Sequence, residues 1–351
     1  MTGLMTGLMT GLLTGLMTGL LTSPLTSLLT VLLQPQVIIW KSYVGIDIGG
    51  TTVKLGLFTE EGNLVDKWEI TTRKEESGRY ILSDVAKSIE NKIEERNLSK
   101  DQIVGIGVGV PGPVTADGTV IQCVNLGWEI VNVANEVKAL TGFQAKVGND
   151  ANVAALGEMW QGGGKGYNSI VLVTLGTGVG GGVIVDGQII TGSNGAAGEI
   201  GHLLVNYEEK DKCGCGKTGC LEQFASATGI VKEAKRLLSK STEPSKLREY
   251  EQLSAKNIFD CAKENDKLAL ELVDQLGRYL GIALSHVAAV VDPQAFVIGG
   301  GVSKAGSILT DAVKKYYNQY VMLALKNKEF NLAELGNDAG IFGCARLILG
   351  H

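Results

Sequence analysis

Short apolar runs that stop abruptly at glycine clusters recur along the chain, and they restrict its fold more than any other feature. Residues 43–48 end at Gly49-Gly50, Ile170–Leu175 at Gly176-Thr177-Gly178, and residues 296–298 at Gly299-Gly300-Gly301. Runs of that length, bounded by glycine, read as strands that turn tightly or carry backbone close to a ligand. Glycine supplies 48 of the 351 residues, about twice the usual share. It lacks a three-residue period, which excludes a collagen-like chain. The 44% hydrophobic content suffices for the cores of about two domains. A net charge of −5 with both signs mixed argues against a general nucleic-acid binder.

Residues 1–40 carry no charged side chain, and residues 1–21 repeat Thr-Gly-Leu-Met or Thr-Gly-Leu-Leu. Residues 12–33 are Leu-rich, but Thr and Gly dilute the apolar run and no basic stretch precedes it, unlike a secretory signal or membrane anchor. We read residues 1–41 as a low-complexity extension outside the fold, with an anchor or a secretory signal as the other readings.

The rest alternates between strand and helix patterns. Residues 43–48, 53–58 and 64–70 read as a hairpin-rich opening, and apolar residues at helical spacing predict a helix over 78–96. Further strands are expected at 103–110, 170–175, 179–185, 188–191 and 296–298, with a long buried helix at 268–291. That order suggests two α/β domains, 42–148 and 149–351.

Asp47-Ile-Gly49-Gly50-Thr51-Thr52-Val-Lys54 lies between two strands, so it is neither a P-loop nor a dinucleotide fingerprint. Its glycine N–H groups, hydroxyls, lysine and carboxylate suit a phosphate and its magnesium ion. A simple hairpin turn would use the same residues. Thr177 and Gly178 repeat the arrangement in the second half, and Gly300 and Gly301 stand where a strand is expected to open a helix. Asp150 precedes a helix expected over 151–160. It could take a proton from an alcohol or cap that helix.

Cys213, Cys215 and Cys220 crowd one loop, and His202 precedes it. Three thiolates and an imidazole form the closed tetrahedral set of a structural zinc. A disulfide fits less well, because Cys213 and Cys215 are close neighbours and three is an odd number. Reduced thiols point to the cytoplasm. Cys123, Cys261 and Cys344 read as core residues, and His286 as a core or interface residue of the long helix.

Taken together, residues 47–54, 175–182, Gly195-Ala-Ala-Gly198-Glu199-Ile-Gly201-His202 and the cysteine loop resemble the ROK family of repressors, open reading frames and sugar kinases. The resemblance runs over about residues 43–349. It implies an actin-like (ribonuclease H-like) two-domain α/β sugar kinase fold with a cleft between the domains, a structural zinc loop and a last helix that packs back on the first domain. Asn125-Leu-Gly-Trp128 and the segment from Asn149 to Glu158 are similar to the family's glucose-phosphorylating members. By that resemblance, Asp150 is the general base for transfer from ATP to the 6-hydroxyl of glucose. Gly112, Asn149, Glu199, His202 and Glu222 then hold the sugar, and Asp47, Gly49, Gly50, Thr51, Thr52, Lys54, Thr177, Gly178, Gly300 and Gly301 the magnesium nucleotide. His202, Cys213, Cys215 and Cys220 hold zinc. A homodimer or dimer of dimers is common in the family. Too few residues precede the first strand for the winged helix of its repressors, so no nucleic-acid partner is expected. Other hexoses (an N-acetylhexosamine or fructose) and a sugar sensor without turnover are the alternatives.

Overall fold

The computed structural model describes residues 41–350. The N-terminal repeat, with the anchor, signal and extension readings placed on it, lies outside the described residues. Among them, no helix is long and apolar enough to cross a membrane.

Strands β1 (Ser42–Ile48), β2 (Thr52–Thr59) and β3 (Leu64–Thr71) form the expected meander. Helix α1 (Ile81–Glu95) starts later than the expected residue 78, where Gly78 instead turns at φ +70°. It buries Ile81, Val85, Ile89 and Ile93, an i, i+4 stripe facing one side of a sheet. Strand β4 (Ile103–Val110) follows, then the short pair β5 (Thr119–Val120) and β6 (Val131–Asn132). Helix α2 (Val133–Thr141), β7 (Ala145–Asn149) and helix α3 (Asp150–Gln161) complete the first half.

Strands β8 (Ile170–Leu175), β9 (Val179–Val185) and β10 (Gln188–Ile189) open the second half. Helices α4 (Ala227–Lys240), α5 (Ala255–Lys263) and α6 (Lys267–Val291) precede β11 (Ala295–Gly299). Helix α7 (Ser307–Tyr320), β12 (Glu329–Leu332) and helix α8 (Ala339–Leu349) end it. The first sheet has the order β3-β2-β1-β4-β7 and the second β10-β9-β8-β11-β12. In each, the leading strand pairs antiparallel with the next and parallel with the strand after the crossover. The two halves therefore repeat one topology, and the 47–54 and 175–182 turns occupy equivalent places in it.

Helix α8 contacts β1, β2, β4 and β7 on one side and α3 on the other, while α3 packs on β8 and β9. Two helices thus fill the space between the sheets. Glycines permit their close approach. A Cβ on Gly45 would overlap the Ile341 carbonyl oxygen, one on Gly107 that of Cys344, and one on Gly343 that of Val153. Cys344 is buried, as expected, and its Sγ lies 3.0 Å from the Ile46 carbonyl oxygen. His286 is exposed on α6, which excludes the core reading and leaves the interface one.

Because Gly343 faces backbone that cannot swing away, Gly343→Ala is expected to lower unfolding stability by about 3 kcal/mol. Gly214→Ala, where a Cβ meets nothing within 4 Å, should stay within about 0.5 kcal/mol of the parent. Urea denaturation of both variants measures this.

Candidate active site

A cavity of about 520 Å³ opens where β1, β4, α3, β8, β9 and the start of α8 converge. Asp47 is the last residue but one of β1, Gly112 follows β4, and Asn149 and Asp150 mark the passage from β7 into α3; all four line the cavity with Gly49, Lys54 and Glu199. The sequence marked each of these seven.

Asn149, not Asp150, caps α3. Its Oδ1 accepts from the N–H groups of Ala151 at 3.0 Å and Asn152 at 3.2 Å, as N-cap side chains do. The helix begins at Asp150, one residue before the expected start. Asn149 also donates from Nδ2 to the Gly112 carbonyl oxygen at 3.1 Å, leaving one Nδ2 hydrogen for a ligand. Gly112 turns at φ +93°, and a Cβ there would stand 2.5 Å from the Gln122 carbonyl oxygen.

Asp150 is thereby free of capping duty. Its Oδ1 accepts from the Ala151 N–H at 2.8 Å. It faces the open cavity, yet the protein around it withdraws it from bulk water. That burial raises its pKa; the Ala151 N–H partly offsets the rise and the Glu199 charge adds to it. Burial pushes Asp47 up to about 6, with Asp150 adding to the rise and Lys54 opposing it.

The glycine turns behave less simply. The Gly49 N–H donates to the Thr52 carbonyl at 3.1 Å, and buried Thr72 clamps the turn by donating its hydroxyl to the Gly49 carbonyl at 2.7 Å. That N–H is therefore not aimed at a phosphate: the turn satisfies it internally. Gly50, Thr51, Thr52, Thr177, Gly178, Gly300 and Gly301 stand outside the cavity lining. Gly300 opens a five-residue 3-10 turn (Gly301–Ala305) rather than a helix directly. It needs glycine because, at φ +82°, a Cβ would lie 2.5 Å from the Leu175 carbonyl oxygen.

Sequence reasoning assigned no site role to the opposite wall, although the 175–182 and 195–202 motifs contain part of it. Thr174, Gly180, Gly181, Gly195 and Ala197 line it, as do Gly336, Asn337, Ala339 and Gly340. Lys54 Nζ donates to the Asn337 carbonyl at 2.9 Å, and a Cβ on Gly340 would stand 2.5 Å from Asp47 Oδ2. Those partners are almost 300 residues apart, so no local pattern signals them. For the 336–340 segment, the glycines of Gly336-Asn-Asp-Ala-Gly340 were the available clue.

His202, Cys213, Cys215 and Cys220 come together with all ligand atoms within 4.8 Å of one another. The Cys215 and Cys220 sulfurs are 3.6 Å apart, and Cys213 Sγ is 3.7 Å from His202 Nδ1. Such separations are tetrahedron edges around an ion at about 2.3 Å from sulfur, and the cysteines are free. His202 turns its other nitrogen, Nε2, to within 4.0 Å of Glu199 Oε2. Glu222 lies at the cluster instead of in the cavity wall. Its Oε1 is 2.8 Å from Cys213 Sγ and 3.8 Å from His202 Nδ1.

The fold and this cavity define a sugar kinase-like α/β protein, and the comparisons agree. The ROK family profile matches residues 43–351, so the chain belongs to the ROK family. It is 43% identical to a glucokinase of Halalkalibacterium halodurans, over 87% of this chain and 94% of that one. It is 32% identical to a glucokinase of Streptomyces coelicolor, over 87% and 96%. A ROK glucokinase of Streptomyces griseus, solved with glucose and AMPPNP, superposes with a TM-score of 0.68 at 30% identity, covering 87% of this chain and 98% of that one.

Asp47 carries a stability signature. Its folded pKa of about 6 exceeds the ordinary value of 3.8, so the native state holds its proton longer than the unfolded chain. Stability then falls as pH rises from about 4 to about 6. Asp47→Asn removes that loss and is expected to be more stable than the parent at pH 8 by about 1–3 kcal/mol, with the difference vanishing below pH 4. Urea denaturation across that range reads it.

Proposed function

We propose that this protein is an ATP-dependent glucokinase that transfers the γ-phosphoryl group to the 6-hydroxyl of glucose, with Asp150 as general base. The placement of Asp150 carries the reading. It is the first residue of a helix capped by its neighbour, raised in pKa by burial, and faces the cavity that also holds Asp47, Lys54 and Glu199. The 43% identity to a glucokinase and the likeness to a glucokinase solved with glucose and AMPPNP support substrate and donor.

In the reaction, Asp150 accepts the 6-hydroxyl proton as that oxygen attacks the γ-phosphorus and ADP leaves. Glu199, the free hydrogen of Asn149 Nδ2 and His202 hold other hydroxyls, and hydroxyl-bonding sites reject analogues that lack the group. Glu222 joins them from its place at the cysteine cluster. Lys54 and the turns at 50–52, 177–178 and 300–301 hold the nucleotide, with the 42–148 and 149–351 domains closing around it. A magnesium ion bound with ATP would neutralise phosphate charge. The Asp47 and Asp150 carboxylates suit that hard cation.

Zinc fits the His202–Cys213–Cys215–Cys220 set, where four protein donors leave no position for water. Bound zinc would fix the His202 ring so that Nε2 faces the sugar. The same reduced thiols support a cytoplasmic setting.

Asp150→Asn is expected to lower kcat for glucose by about 10²–10⁴-fold while glucose still binds, measured by coupled assay and calorimetry. The acid limb of the parent's kcat–pH profile should lie above the ordinary carboxylate range. Turnover of another hexose in preference to glucose would move the specificity, and sugar binding without turnover would favour a sensor. Elemental analysis of purified protein should find about one zinc per chain, and almost none in Cys215→Ser, with a higher KM for glucose. An active parent free of zinc would overturn the zinc assignment.

A further inference from the structure

Glu158 stands about two turns along α3 from Asp150, outside the cavity and 1% exposed. Among the described residues no cation pairs with it. Backbone N–H groups hold its charge instead: Gly163 and Glu334 donate to Oε2 at 2.9 and 3.0 Å, and Leu335 to Oε1 at 2.9 Å. Charge-assisted bonds of this kind are short and strong. Gly162 is required beside it, because a Cβ there would overlap Oε2.

The loop Glu158 binds is the one that ends at the cavity. Glu334 and Leu335 lead directly into Gly336 and Asn337, which line it, and the Asn337 carbonyl accepts from Lys54 Nζ at 2.9 Å. One carboxylate therefore joins the helix that presents Asp150 to the loop that orients Lys54. Nothing local in the sequence joins residues 158, 335 and 54.

We propose that Glu158 is a positioning residue for phosphoryl transfer: it fixes the 334–337 loop so that the Asn337 carbonyl holds Lys54 towards the nucleotide phosphates. The inference rests on the proposed kinase reading, in which Lys54 faces ATP. An amide at position 158 supplies N–H where Oε2 now accepts two N–H donors, so it opposes the loop it should hold.

The test is a double-mutant cycle on the full chain. Lys54→Met alone should raise the KM for ATP about tenfold and leave that for glucose within about twofold. Glu158→Gln should show the same split. In the Lys54→Met background it should then change the KM for ATP less than about twofold, because the group it positions is gone. Additive effects in the double variant, or equal rises in both KM values, would overturn the proposal. If Lys54→Met leaves the KM for ATP unchanged, the placement of Lys54 in the kinase reading fails, and this inference with it. Should Glu158→Gln not fold, Leu335→Pro removes one of the three donors at a residue whose φ of −76° already suits proline. It is expected to give the same ATP-selective rise with its melting temperature close to the parent's, and a rise in neither KM would overturn the proposal.

Discussion

The close approach of α8 to the first sheet and to α3 is the constraint on which the rest depends. Side chains normally keep a helix about 10 Å from its neighbours. Here Gly45 and Gly107 on the sheet, and Gly157 and Gly343 between the helices, bring backbone against backbone. Interiors packed this densely have no slack to absorb an added methyl group. The last helix of the chain is thereby locked into its first sheet, and the segment before α8 is carried to the mouth of the cavity.

That seating creates the electrostatics of the site. Gly340 brings the start of α8 against Asp47, and α3 brings Asp150 to the same cavity. Asp47 loses solvation and gains a like-charged neighbour, which is why its carboxyl titrates near 6. Packing elsewhere must offset the cost of two such groups. A site that destabilises its own empty form and is relieved by a cation is suited to phosphoryl transfer.

The cysteine cluster joins the same design from the other side. His202 shows Nδ1 to the thiols and Nε2 to Glu199. Glu222 lies between Cys213 and the β8–β9 turn, where Gly178 leaves room for its Oε2. Order in the cysteine loop is thus coupled to residues that face the sugar in the proposed reaction.

Much of this was legible in the sequence because its signals are local. The strands ending on glycine, the cysteine loop, Asp47, Asp150 and Glu199 all sit in short motifs whose spacing reflects a turn, a ligand set or a helix start. The identity of the α3 cap was not legible, since Asn149 and Asp150 are both good caps and only the geometry separates them. The internal use of the Gly49 N–H was also hidden, because it depends on Thr52 and on Thr72 across the sheet. Strand β12 and helices α4, α5 and α7 went unassigned, and with them the loop that reaches Lys54. By itself the sequence determined which residues could bind phosphate, sugar and metal. The tertiary structure alone decided which of them meet, because contacts such as Lys54 with Asn337 and Glu158 with Leu335 join positions that only packing brings together.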